Sequence, residues 1–146
     1  MRCRAGLAVA VGLLALGCSV PAEPSASDWT SAARQSLEDS TSEVESVALV
    51  LEERSAGRLP GVSARVMAVE SEESLATAVD SLTTQQPPPG LDGQDRDVSD
   101  LLGRATDLVR EARVAITAED EASYADVRRR LLDLSDDLDA ARTELG

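Results

Sequence analysis

From Val98 to Leu145 apolar residues recur at alternating steps of four and three. The first run is Val98, Leu102, Ala105, Val109, Ala112 and Ile116; the second is Tyr124, Val127, Leu131, Leu134, Leu138, Ala141 and Leu145. A row with that period lies along one face of an α-helix, whereas strand side chains alternate with period two. Leu101, Leu108 and Ala115 widen the first row. Only Ala118-Glu119-Asp120 separates the runs, short enough to fold the second helix back antiparallel to the first, with Asp120 as its N-cap. The pattern predicts helices at about 98–117 and 121–145, each with one face that must be buried.

The preceding half reads the same way with more interruptions. A helix is predicted from about 28 to 56, capped by Ser27 or Asp28 and stopped by Gly57, with Trp29, Ala33, Leu37, Ser40, Val44, Val47 and Leu51 inward. Trp29 is read as closing one end of the core rather than as a membrane-interface ring. The row is weak at Ser40 and Thr41. Gly57-Arg58-Leu59-Pro60-Gly61 makes a tight connection, and a second helix is predicted from about 60 to 84, with Val62, Val66, Val69, Ala76, Val79 and Leu82 inward. Glu73 falls on or beside that row; its carboxylate belongs at the edge, in water, because an unpaired buried charge is costly. Residues 85–97 contain Pro87-Pro88-Pro89-Gly90, which no helix traverses. The proline run could dock on an aromatic groove, but is read as a connector. Four helices joined by short, long and short connections predict an all-α, antiparallel up-down-up-down four-helix bundle over residues 28–146. The turns at Arg58-Leu59 and Glu119-Asp120 then share one end, and the proline loop and the two chain ends share the other.

The N-terminal segment is different in kind. Arg2 and Arg4 precede an apolar run from Ala5 to Leu16, and Gly17 stands before Cys18. Charged head, apolar middle and small cleavage-site residue is the order of a secretory signal peptide. The apolar stretch, from Ala5 to Val20, is about 16 residues, short of the roughly 20 a spanning helix needs. Leu13-Leu14-Ala15-Leu16-Gly17-Cys18 resembles the lipobox of bacterial lipoproteins. The resemblance implies cleavage between Gly17 and Cys18, acylation of Cys18 by palmitate-type chains, and a lipid-anchored protein on the extracytoplasmic face of the cell membrane. Residues 1–17 are then the signal peptide and 18–27, with two prolines, a flexible tether.

Composition restricts the chemistry. There are 27 acidic and 14 basic residues, every basic one arginine; without Arg2 and Arg4 the balance is 12 arginines against 27 acids, a net −15. Such a surface repels nucleic acid phosphates, so no nucleic acid partner is expected. With no histidine there is no imidazole base or metal ligand, and with no lysine no Schiff base or Ser-Lys dyad. One Trp, one Tyr and no Phe leave few stacking surfaces. Asp92, Asp95, Asp97 and Asp100 do not fit an EF-hand: a loop starting at Asp95 places Asp100 at the turn-glycine position and Thr106 at the bidentate-glutamate position. Arg128-Arg129-Arg130 stands among Asp126, Asp133 and Asp136 at helical spacings, and reads as a salt-bridged solvated face.

These observations lead to the expectation of a non-catalytic protein with no metal or cofactor, acting through protein–protein contacts in the cell envelope. Arg58 and Leu59 are the candidate contact residues, since their turn points away from the anchor. The alternative is a small-solute-binding or sensor bundle accessory to a transporter or receptor, with Ser40, Thr41 and Glu73 as its candidate pocket.

Overall fold

The computed structural model describes residues 25–145. The expected signal peptide at 1–17, the expected cleavage and lipidation site at Gly17 and Cys18, and the part of the expected tether before residue 25 lie outside the described residues. Four helices make up the fold: α1 (Ala26–Ser55), α2 (Gly61–Thr83), α3 (Asp92–Ala118) and α4 (Glu121–Glu144). They form the antiparallel four-helix bundle that the apolar periodicity predicts.

Two helices begin earlier than expected. Helix α1 starts at Ala26 because Ser25 is its N-cap, its hydroxyl accepting from the Asp28 backbone N–H at 3.4 Å, which leaves Asp28 in the first turn near the positive helix end. Helix α3 starts at Asp92 rather than at about 98. Pro88 to Leu91 close a turn, with the Leu91 N–H donating to the Pro88 carbonyl at 3.2 Å and Gly90 at φ +96°. Proline second and a positive-φ glycine third is the chemistry of a type II turn, so the chain is ready to enter a helix as soon as the turn ends. Asp92 and Asp95 then occupy the first turn, where acids favour a helix. The long connection therefore covers only 84–91, and Pro88 is buried within it. Asp120 does stand at the N-cap of α4, but its carboxylate accepts no first-turn N–H; the Ser123 hydroxyl instead donates to the Asp120 carbonyl at 2.9 Å.

Helix α1 is the hub, packed against α2 and α4 and touching α3 across the bundle, while α2 and α4 do not meet among the described residues. The cross-section is thus a rhombus with α1 and α3 on its short diagonal. Small side chains allow this approach: Ala33 and Ala48 of α1 and Ala105 and Ala112 of α3 are all buried. Along the seam between α1 and α4, Glu38, Glu45 and Glu52 meet Arg142 (3.7 Å), Ser135 (2.9 Å) and Arg128 (2.6 Å). Both helices supply a residue every seven, the interval at which two packed helices keep one face toward each other.

The predicted inward rows of α1, α3 and α4 are buried or, at Leu101, Ala141 and Leu145, partly buried against the core. Helix α2 departs from expectation. Its buried row is Ala64, Ala68, Ser71, Leu75, Ala78 and Leu82, whereas Val62, Val66, Val69 and Ala76 are exposed and Val79 is half-buried. Both rows run at four-three spacing, but the valine row passes through Glu73 and Asp80 and the alanine–leucine row carries no charge. Burying the second row avoids desolvating two carboxylates, a cost larger than the gain from three valines. It also lets α2 approach α1 closely, and the Ser36 hydroxyl of α1 donates to the Ala78 carbonyl of α2 at 2.8 Å.

Candidate functional site

The end of the bundle that carries the two tight turns is built around left-handed backbone positions. At the end of α1, Gly57 has φ +68°, its N–H donates to the Arg54 carbonyl at 3.0 Å, and the Arg58 N–H reaches back to the Glu53 carbonyl at 2.9 Å. This is a Schellman closure, and glycine takes the conformation without a Cβ clash. The α3–α4 turn repeats the pattern with Glu119 at φ +55°: Glu119 N–H to Ile116 carbonyl at 3.3 Å, Asp120 N–H to Ala115 carbonyl at 3.0 Å. Here a non-glycine residue carries the strain.

Side chains lock the two turns together. Arg65 of α2 reaches Glu119 at 3.3 Å, and Arg54 of α1 reaches Glu121 of α4 at 3.9 Å. Beneath them Tyr124 is buried, and its hydroxyl has no hydrogen-bond partner among the described residues; burial raises its pKa. Arg58 is exposed and grips Glu53 with both ends of its guanidinium, Nε to Oε2 at 2.7 Å and Nη2 to Oε1 at 2.6 Å. That hydrogen bond holds the Glu53 carboxyl below the usual glutamate range. Leu59 packs partly against the core. Of the two candidate contact residues, Arg58 therefore stands in solvent with its charge already paired, and Leu59 closes the turn.

From this turn the outward face of α2 runs down the bundle. Val62 is 71% exposed, Val66 51% and Val69 41%, and they occupy successive turns of one face. Arg65 and Glu70 flank the row, one on each side. The four-three spacing alone assigns this row to the core. The charge-free run of Ala64, Ala68, Ser71, Leu75, Ala78 and Leu82 is the sequence signal that reverses that assignment.

The three candidate pocket residues do not come together. Ser40 is fully buried in the core, its hydroxyl without a partner among the described residues. Thr41 donates to the Leu37 carbonyl at 2.9 Å and borders an open groove of about 260 Å³ between α1 and α4, with Glu38, Glu45, Ser135, Asp139 and Arg142. Glu73 is exposed on the outward face of α2. A second open groove, between α1 and α2, is lined by Asp39, Glu43 and hydroxyls of Ser74, Thr77 and Ser81. Among the described residues no group of three or more acids or cysteines is placed to hold a metal ion, and no helix is long and apolar enough to cross a membrane.

The three successive arginines are dispersed into ion pairs. Arg128 reaches Glu52 of α1, Arg129 bonds Asp126, and Arg130 holds Glu111 of α3 at 2.7 and 2.9 Å. They leave no basic patch for an anion. No known protein-family model, curated protein or solved structure matches the chain.

Proposed function

We propose that this is a lipid-anchored protein of the cell envelope, tethered by acyl chains on Cys18 at the extracytoplasmic membrane face, which works without catalysis through protein–protein contacts. The anchor is supported by the charged head, apolar middle and Leu13-Leu14-Ala15-Leu16-Gly17-Cys18 ending. Contact in place of catalysis is supported by one observation above all. Val62, Val66 and Val69 stand in solvent next to the distal turn, while the bundle interior is taken up by its own leucines, valines and alanines. A contiguous apolar row left in water marks a surface that something covers. The lack of histidine and lysine removes the commonest general bases and amine nucleophiles from the chain.

The anchor gives the bundle a direction. Helix α1 has 30 residues, which at 1.5 Å per residue puts the Arg58 turn about 45 Å from the tethered end. A partner in the envelope meets this distal end and the outward helix faces. A photo-cross-linking side chain placed at Arg58, and separately at Pro89, tests this in intact cells. Capture of one defined envelope protein from Arg58 and not from Pro89 is the expected result. Equal capture from both sites would count against this orientation, and no capture together with a rise in melting temperature on adding a small solute would favour the solute-binding alternative.

A further inference from the structure

We infer that the outward face of α2 is occupied by a second copy of this chain, packed parallel to the first. The register carries the argument. Val62, Val66, Val69, Glu73 and Ala76 follow four-three spacing, the seam positions of a coiled coil; Arg65 and Glu70 then fall on the two flanks, five residues apart. In a parallel pair, a flanking residue faces the opposite flank of its neighbour five residues further along. Arg65 of each copy therefore meets Glu70 of the other, twice by symmetry. An antiparallel pair would place each flank against itself; Glu72, the other charge on the Arg65 flank, is already held by Arg110 and Arg113 of α3, so the remaining charges select the parallel arrangement. Glu70 has no ion-pair partner among the described residues, and Arg65, 44% exposed in its pair with Glu119, keeps donors free.

The direction agrees with the proposed anchor, on which this part of the argument rests. Two chains held by their N-terminal ends in one membrane stand side by side in the same sense, with the two-fold axis along the membrane normal. The contact is short. Glu73 faces its own copy at the next seam position and stops the apolar row after two turns. Three valines per copy bury far less than the ~1,200–2,000 Å² of a standard interface. The pair is accordingly weak free in solution and is favoured when tethering raises the effective concentration.

Disulfide cross-linking of the full chain in its native membrane tests this, in a Cys3→Ser background with Cys18 left for acylation. Val62→Cys and Val69→Cys, introduced singly, are each expected to yield homodimer severalfold above Val114→Cys, which is exposed on the outer side of α3. Arg65→Glu or Glu70→Arg alone should lower that yield severalfold, the double reversal should restore it, and Glu73→Leu should raise it. The circular dichroism of each variant shows that the bundle remains helical. Yields no higher than at Val114→Cys, reversals without effect, or a cross-link at Val66→Cys without those at 62 and 69 would overturn the parallel pair. Capture of a different protein in place of the homodimer would also overturn it. If the chain is in the soluble fraction, the anchor reading fails. The same cross-links at raised protein concentration then support the pair, and their absence overturns it.

Discussion

The Ser36 hydroxyl on α1 donates to the Ala78 carbonyl on α2 across 2.8 Å, with both residues buried. Four positions along α1, Ser40 is equally buried and its hydroxyl has no partner among the described residues. The same substitution should have opposite consequences at the two sites. Ser36→Ala removes an interhelix hydrogen bond and is expected to cost about 0.5–1.5 kcal/mol. Ser40→Ala removes an unsatisfied polar atom and is expected to leave stability unchanged or raise it. Urea unfolding of the two variants measures the difference.

The face that α2 buries makes a second contrast. Ala68 is fully buried, so Ala68→Leu overpacks the contact between helices and should cost about 1–3 kcal/mol. Val66→Ser, on the outward face, should change stability by no more than about 0.5 kcal/mol. If Val66→Ser proved the more damaging, the assigned face of α2 would be reversed.

Tyr124 is the only tyrosine, so its ionisation can be followed by absorbance. Burial raises its pKa in the folded chain above the unfolded value of about 10. Between those two values the folded state holds more protons than the unfolded state. Stability is therefore complete below about pH 10 and falls as pH rises through the folded pKa. Tyr124→Phe should abolish that loss. It should also raise stability near neutral pH, since the removed hydroxyl has no partner among the described residues.

Glu119 sits at φ +55° where Gly57 occupies the equivalent place in the other turn. A left-handed conformation costs a non-glycine residue roughly 1–2 kcal/mol. Replacement by glycine relieves that strain but adds unfolded-state entropy of about 0.5–1 kcal/mol, and it removes the exposed pair with Arg65. Glu119→Gly is expected to gain about 0.5 kcal/mol net, read as a higher midpoint in denaturant.

Much of the fold is legible in the sequence because α3 and α4 each carry one uninterrupted apolar row and α1 one broken only at Ser40, and a row of period 3.6 allows one face to be buried. On α2 two rows compete. Residue-by-residue hydrophobicity favours the valines, yet the deciding terms are collective: Glu73 and Asp80 would have to be desolvated, and alanines permit a closer helix pair. The start of α3 was hidden for a related reason. Pro88-Pro89-Gly90 looks like the middle of a long loop until the turn it forms is recognised, and the aspartates after it are first-turn residues. At the candidate site, the sequence indicates that the Arg58-Leu59 turn shares one end of the bundle with the Glu119-Asp120 turn. It does not reveal that Arg58 is already paired with Glu53, or that Ser40 faces the core, Thr41 the groove beside α4 and Glu73 the solvent.

Anchoring is tested by metabolic labelling with an alkyne-bearing palmitate, followed by membrane fractionation and intact-mass analysis. A labelled, membrane-bound chain beginning at Cys18 is expected, with the label lost in Cys18→Ser. A chain that keeps residues 1–17, or that is unlabelled and soluble with a free Cys18 thiol, would contradict it.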